Sequence, residues 1–359
     1  MRGRPSHAVQ PPVRGLAWSN PSEAFSFYGM VGIISNMNVD VIATEFGLTG
    51  PGTVEPAPSG LIHKTFFVNA ADGEFVLQQL HEIVRPETCE DAAVITKYAR
   101  ERAVPVPEFL LARDDKPWYR AYDGSLWRAM KRLPGESRDA VRSPDEAHSA
   151  AALLGQFHAV VKTCAYECRG AIPHFHDTPH IFEQFKKVVA VHEGSELLAR
   201  VRDDAAFVLQ EVPKQLLPST LPRQIVHGDL KISNFLFEGP AATALLDFDT
   251  CMNHTPLVDI GDALRSWCNA AGEDGEAAFD RAIYDAAVEG YCSRAALSEE
   301  ERALIPQAFR LLTIELAMRF LKDYFDDVYF GWNAEKFSSR REHNLARTRG
   351  QLGLYRAII

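Results

Sequence analysis

Two apolar runs in the second half of the chain, "RQIVHGDL" and "ATALLDFD", each break off into acidic residues, and together they limit what this chain can fold into. A short apolar run bounded by polar residues reads as a buried strand. Asp229 and Asp247 are thereby delivered to strand ends inside a fold, where an isolated charge is costly and needs a partner or a bound cation. Within "VHGDLKISNFLF" and "LLDFDT", Asn234 follows Asp229 by five positions and Asp247 follows it by eighteen.

The spacing H-x-D-x-x-x-x-N, then D, gathers three oxygen groups. Phosphoryl transfer from ATP needs such a set: a carboxylate near the acceptor hydroxyl and hard oxygen ligands for a magnesium ion between the β- and γ-phosphates. On this basis Asp229 is the base, and Asn234 and Asp247 are the metal ligands. Lys231 neutralises the phosphoryl group in transit. Asp249 holds a second metal or orients the loop. The competing explanation, in which His227 and Asp229 close a turn and Asp247 caps one, leaves the convergence of three oxygen ligands unexplained.

A chain of 359 residues with 46% hydrophobic side chains can bury a large core and is long enough for two lobes around a cleft. Residues 1–37 mix Pro, Gly, Ser and Arg without periodicity and are expected to be a disordered extension. "NVDVIATEFGL" then reads as a short helix with Val41, Ile42, Phe46 and Leu48 apolar. "KTFFVNA" and "EFVLQQL" form a β-hairpin around Asp72-Gly73, and "SLWRAMKRL" is a further strand. Pro134-Gly135 is a hinge. Beyond it, "AHSAAALLGQFHAVV" places Ala150, Leu153, Leu154, Phe157, Val160 and Val161 on one helical face, with His158 packed beside them. "LIPQAFRLLTIELAMRFLKDYF" also has helical spacing. The expected fold is α+β: a small β-rich N-terminal lobe, residues 38–133, and a larger, mainly helical C-terminal lobe, residues 134–359.

The formal charge of −10 speaks against a nucleic-acid partner, which calls for a basic surface. No apolar run is long enough for a transmembrane helix. The six cysteines form no C-x-x-C pair and fit reduced, mostly buried thiols in a cytoplasmic protein.

"HGDLKISNF", "LLDFDT" and "LVDIGDALR" resemble the aminoglycoside phosphotransferase and choline kinase superfamily. Within it, "IPHFHDTPHIFEQFKKVV", "MRFLKDYFDDVYF" and "REHNLARTRGQL" resemble segments of bacterial N-acetylhexosamine 1-kinases. The resemblance runs from about Asn38 to the C-terminus. It implies a protein-kinase-like two-lobe fold, ATP as co-substrate, Mg2+ as cofactor, and a small polyhydroxylated acceptor. The hydroxyl phosphorylated would be the anomeric one of an N-acetylhexosamine or related hexose. The resemblance also implies that Asp229 is the catalytic aspartate, that Asn234 and Asp247 are metal ligands, and that Arg319 and Tyr329 contact the sugar. The arginine fork suits paired hydroxyls and a carbonyl; an ion pair for Arg319 and plain packing for Tyr329 are the structural alternatives.

The pattern departs from other kinases of this fold at the nucleotide. "PAPSGLIHKTFF" supplies only Gly60 for a phosphate-covering loop, which limits the backbone amides that can approach a phosphate. The strand lysine that grips the α- and β-phosphates is replaced by Gln78 and Gln79, a glutamine pair shared by the N-acetylhexosamine kinases. Gln78 is therefore the strand residue expected at the nucleotide, and Lys64 the candidate substitute cation, with a solvated strand-edge lysine as the alternative. At the acceptor, Leu61 and Ser266 stand where the sugar kinases carry histidine and phenylalanine. An amino alcohol or aminoglycoside kinase of the same fold, or a nucleotide-binding regulator without turnover, are the rivals. The complete Asp229, Asn234 and Asp247 set speaks against the regulator.

"IPHFHDTPH" invites a metal reading of its own. In an extended segment His174 and His176 point the same way and Asp177 the other. Thr178-Pro179 reads as a helix start, with His180 in its first turn. Two easy ligands fall short of the three or four a zinc site needs, so the stretch reads as a strand-to-helix junction.

Overall fold

The computed structural model describes residues 36–48, 50, 52–57 and 63–358. The elements are, in chain order, α1 (Asn36–Glu45), β1 (Thr53–Pro56), β2 (Lys64–Ala70), β3 (Gly73–Gln79), α2 (Pro86–Arg100), β4 (Tyr119–Arg120), β5 (Leu126–Lys131) and β6 (Glu136–Ser137). They continue with α3 (Pro144–Val161), α4 (Thr178–Val191), α5 (Glu196–Gln215), β7 (Gln224–Val226), β8 (Phe235–Glu238), β9 (Ala241–Leu245) and β10 (Met252–His254). The last are α6 (Leu257–Trp267), α7 (Arg281–Arg294), α8 (Glu299–Ala303), α9 (Ile305–Asp326) and α10 (Arg340–Ala357).

The small lobe is an antiparallel sheet in the order β1-β2-β3-β5-β4. Side chains alternate between its faces. Val68, Phe75, Leu77, Trp127 and Ala129 pack against Val39, Ile42 and Ala43 of α1 and Phe46 just beyond it. The opposite face, with Thr65, Phe67, Val76, Gln78, Arg128 and Met130, roofs a cleft of about 1340 Å³ between the lobes. The expected hairpin forms, with Ala70 paired to Gly73 across its turn.

Helix α2 has no counterpart among the sequence expectations. Its start is marked by Pro86 and Glu87, and Lys97 and Arg100 lie in its last turn, the polarity the helix dipole favours. Its buried face is built from small side chains, Cys89, Ala92 and Ala99 among them, which gives a weak apolar signal. Ala92, Ile95 and Ala99 reach the large-lobe core, so α2 joins the two lobes.

In the large lobe α3 lies against α7 at unusually close range, because both carry a glycine at the contact. A Cβ at Gly290 would sit 2.2 Å from the His148 carbonyl, and one at Gly155 would sit 2.6 Å from that of Tyr291. The expected face of α3 is buried except for Val160, and His158 is buried with it. A second core forms where α4, α5, α9 and α10 meet around Phe185, Val208, Met318 and Leu352. The two predicted strands become β7 and β9; β9 pairs with β8 and β7 with β10. All six cysteines are free, three of them buried. Among the described residues, no helix is long and apolar enough to cross a membrane.

Candidate active site

β7 runs into the loop 227–234, whose backbone is anchored from behind by α6. Asp259 accepts from the N–H of His227 at 2.6 Å and of Gly228 at 2.8 Å, and Asp262, one turn further, accepts from Leu230 at 3.0 Å. His158 donates from Nε2 to Asp259 at 2.9 Å, and the Tyr291 hydroxyl lies 2.7 Å from its other nitrogen. His227 donates from Nε2 to the Leu246 carbonyl at 2.7 Å while its Nδ1 accepts from Asp229 N–H at 3.3 Å. The motif histidine thus stitches the loop to the strand end that bears Asp247. Gly228 has φ +88°, and a Cβ there would come within 2.5 Å of the Thr250 carbonyl, so only glycine fits.

Asp229 is half-buried on the cleft floor. Lys231 Nζ lies 3.0 Å from its Oδ2, and Asn234 Nδ2 donates to the same oxygen at 3.2 Å and to the Asp229 carbonyl at 2.8 Å. Burial pushes the carboxyl up, but Lys231, His227 and the Asn234 amide outweigh it and hold it below the ordinary carboxylate value. Burial likewise opposes the Lys231 ammonium, and Asp229 and Asp247 more than restore it. Asp229 is therefore an anion at neutral pH.

With its amide nitrogen given to Asp229, Asn234 keeps its carbonyl oxygen for a cation. The Asn234 backbone carbonyl accepts from Leu246 N–H at 2.7 Å, which draws Asp247 alongside. Asp247 adopts a left-handed φ of +64°, a conformation that costs a non-glycine residue roughly 1–3 kcal/mol. Its carboxylate takes no hydrogen bond or ion pair from the described residues. A strained, unpartnered carboxylate beside a free amide oxygen suits a hard divalent cation that retains several waters.

Asp249 is a correction to the metal assignment. Both of its oxygens are taken, one by Arg128 Nη1 and the other by His63 Nε2 at 2.9 Å. It pins the loop after Asp247 to the small lobe, which matches the loop-orienting alternative. Burial would raise its carboxyl, and Arg128 and His63 hold it well below the ordinary value instead. Lys64 is a second correction: it is exposed and pairs in register with Gln79, on the sheet face turned away from the cleft. Gln78 does line the cleft. Gly60 and Leu61 lie outside the described residues.

Arg319, from α9, lines the large-lobe wall of the cleft with Ser266. Its guanidinium lies 5.5 Å from the Phe175 ring and 5.7 Å from that of Phe330, and its Nη2 is 3.4 Å from the Tyr329 hydroxyl. Asp323 holds the following loop by accepting from the N–H groups of Val328, Tyr329 and Phe330 at 2.8–3.0 Å. Tyr329 is thus fixed against Arg319 rather than set in the cleft wall.

The histidine segment differs from the extended geometry expected for it. His174 and His176 both take left-handed φ values, +58° and +54°, which turns them apart. His176 goes inward and faces Glu315 at 2.9 Å and the Gly228 carbonyl at 3.1 Å. His174 goes outward, stacks on His180 at 3.6 Å with the rings 6° from parallel, and lies 2.8 Å from Asp177 Oδ2. Lone pairs in two parallel ring planes do not converge on one ion, so the His174, Asp177 and His180 cluster reads as a helix-entry clasp. Asp177, not Thr178, caps α4.

Sequence reasoning missed Asp259, Asp262, Glu315 and Arg128. The two acids of "LVDIGDALR" stand three apart on one helix face, a usable signal for a loop anchor. Glu315 and Arg128 sit in apolar runs and become legible only through their partners.

The roof, the braced carboxylate and the cation-ready oxygens beside it place the chain among phosphotransferases of protein-kinase-like architecture. It belongs to the phosphotransferase enzyme family, whose pattern matches residues 53–304, and it is a small-molecule kinase that phosphorylates a hydroxyl group. Homoserine kinase of Zymomonas mobilis is 22% identical over 287 residues, 75% of this chain and 79% of that one. Homoserine kinase of Pseudomonas aeruginosa strain UCBPP-PA14 is 26% identical over 265 residues, 71% and 76% of the two chains. Among solved structures, the amicoumacin kinase hAmiN in complex with AMP-PNP, Ca2+ and Ami aligns with a TM-score of 0.64 at 17% identity, covering 93% of this chain and 96% of that one. The microcompartment-associated aminopropanol kinase aligns with a TM-score of 0.61 at 16% identity, covering 89% and 95%.

Proposed function

We propose that the protein transfers the γ-phosphate of ATP to a sugar hydroxyl, the anomeric hydroxyl of an N-acetylhexosamine or related hexose, using Mg2+ held by Asn234 and Asp247. The carrying observation is the Asp229 carboxylate, kept anionic by Lys231 at 3.0 Å and braced by Asn234. Mg2+ would supply charge neutralisation between the β- and γ-phosphates. A carboxylate this acidic does not deprotonate a resting alcohol. It orients the acceptor hydroxyl and takes its proton as the bond to phosphorus forms, while Lys231 offsets the negative charge on the moving phosphoryl group. An anomeric hydroxyl is more acidic than an ordinary alcohol and suits such a partner.

The acceptor wall supports the sugar. Arg319 offers several donors next to aromatic rings, a surface suited to a hydroxylated ring. Three acids of the cleft are committed: Glu315 to His176 and Thr178, Asp262 to Leu230 and Arg265, and Glu273 to Arg265. A cationic acceptor beside Arg319 therefore finds no free charge on these three, and Asp139 and Asp280 are further acids lining the cleft. The second reading, an amino alcohol such as homoserine or aminopropanol, is favoured by the names of the relatives, and Arg319 could equally pair with an amino-acid carboxylate.

Incubation with Mg-ATP and a panel of N-acetylhexosamines, hexoses, homoserine and aminopropanol, followed by phosphorus NMR, separates the two. An anomeric phosphate is the expected product. Phosphorylation of homoserine or aminopropanol alone would replace the sugar by the second reading, and ATP binding without any phosphate ester would remove both.

A further inference from the structure

A nucleotide held in this cleft needs a cation at its inner phosphates, and β3 offers only Gln78 and Gln79 where kinases of this fold place a lysine. The sheet register supplies a replacement one strand away. Thr65, Gln78 and Arg128 stand side by side across β2, β3 and β5, and all three face the cleft. Neighbouring strands are about 5 Å apart, a distance that the longer arginine side chain spans.

Arg128 is only 3% exposed and is held in a fixed plane. Its Nε donates to Gln78 Oε1 at 2.8 Å, and its Nη1 donates to Asp249. No hydrogen bond from Nη2 is found among the described residues. A guanidinium has five N–H donors in a rigid fork, so it can keep both anchors and still present an amino group to a phosphate oxygen. In other kinases a helix glutamate pairs with the lysine; here the acid that holds the cation is Asp249, while Glu90 of α2 pairs with Arg169 at 2.7 Å.

We propose that Arg128 binds the α- and β-phosphates of the nucleotide, aimed by Gln78 and Asp249, and so replaces the absent strand lysine. The assignment rests on the kinase reading of the cleft. It makes Gln78 a positioning residue and accounts for the glutamine on β3, whose neighbour across the sheet carries the cation.

Calorimetric titration of the full chain with Mg-ADP, Mg-AMP-PNP and adenosine tests it. Arg128→Met is expected to weaken both phosphate-bearing ligands at least about 10-fold and leave adenosine within about twofold. Arg128→Lys keeps the charge on a head that cannot hold both anchors, and is expected to weaken ADP by a smaller factor, again without touching adenosine. Unchanged ADP affinity in either variant would overturn the proposal. So would equal weakening of ADP and adenosine, which marks a purely structural role. If Arg128→Met does not fold, the comparison in Arg128→Lys decides alone. A wild-type chain that binds none of the three ligands would instead overturn the kinase reading.

Discussion

His176 and Glu315 form a buried pair beneath the catalytic loop, with Nδ1 and Oε1 2.9 Å apart. The other ring nitrogen faces the Gly228 carbonyl at 3.1 Å. Both partners are acceptors, so the ring carries both protons and supports the residue that precedes Asp229.

This pair sets a pH dependence of stability. Burial lowers the His176 pKa, but Glu315 outweighs it and raises the folded-state value above the ordinary one of about 6.5. The stabilisation is full below that unfolded value and is lost as pH rises through the folded one. Glu315 shifts downward, so its own contribution fades only in acid. Urea denaturation of wild type and His176→Gln should therefore differ most near pH 6 and converge toward pH 9. A constant difference across that range would mean a neutral ring.

Asp229→Asn keeps the shape of the floor but removes the proton acceptor. Its turnover number is expected to fall about 10²- to 10⁴-fold, while nucleotide affinity stays near wild type. Steady-state kinetics with calorimetric ADP titration check both halves.

Asp247→Asn removes a carboxylate charge that takes no hydrogen bond or ion pair from the described residues. The variant should need a higher Mg2+ concentration for half-maximal rate, by about tenfold or more, and lose rate even at saturation. A wild-type Mg2+ profile would take Asp247 out of the pocket's ligand set.

Gly228→Ala combines a positive φ with a Cβ 2.5 Å from a backbone carbonyl. Destabilisation on the order of 3 kcal/mol is expected from urea midpoints, together with loss of turnover because the loop carrying Asp229 must shift.

Arg319→Met should raise KM for the acceptor about 10- to 100-fold and leave KM for ATP unchanged. Equal changes in both constants would place Arg319 outside the acceptor wall.

The grouping of the candidate residues in the large lobe was legible in the sequence because it is local: Asp229, Lys231 and Asn234 share one loop, and Asp247 follows the next strand but one. Helices with strong apolar stripes, such as α3 and α9, were legible for the same reason, though not where each begins. What escaped was long-range or weakly patterned. Asp249 stands two positions from Asp247, the proposed metal ligand, yet its partners His63 and Arg128 lie 186 and 121 positions away. Lys64 was expected at the nucleotide, and the pleat alone sends it to the other face. The His174 and His176 directions failed because two left-handed residues broke the extended geometry that alternation assumes.

The bracket formed by Asp323 has a further consequence. It fixes the backbone of the loop 328–330 from within α9, and Asn344 of α10 donates to the same carboxylate at 2.9 Å. Arg319, Tyr329 and this bracket all follow residue 304, where the family match ends. The loop that carries Tyr329 therefore hangs on a single carboxylate shared by two helices, α9 and α10, so that one lost side chain would slacken both ends of the hold at once.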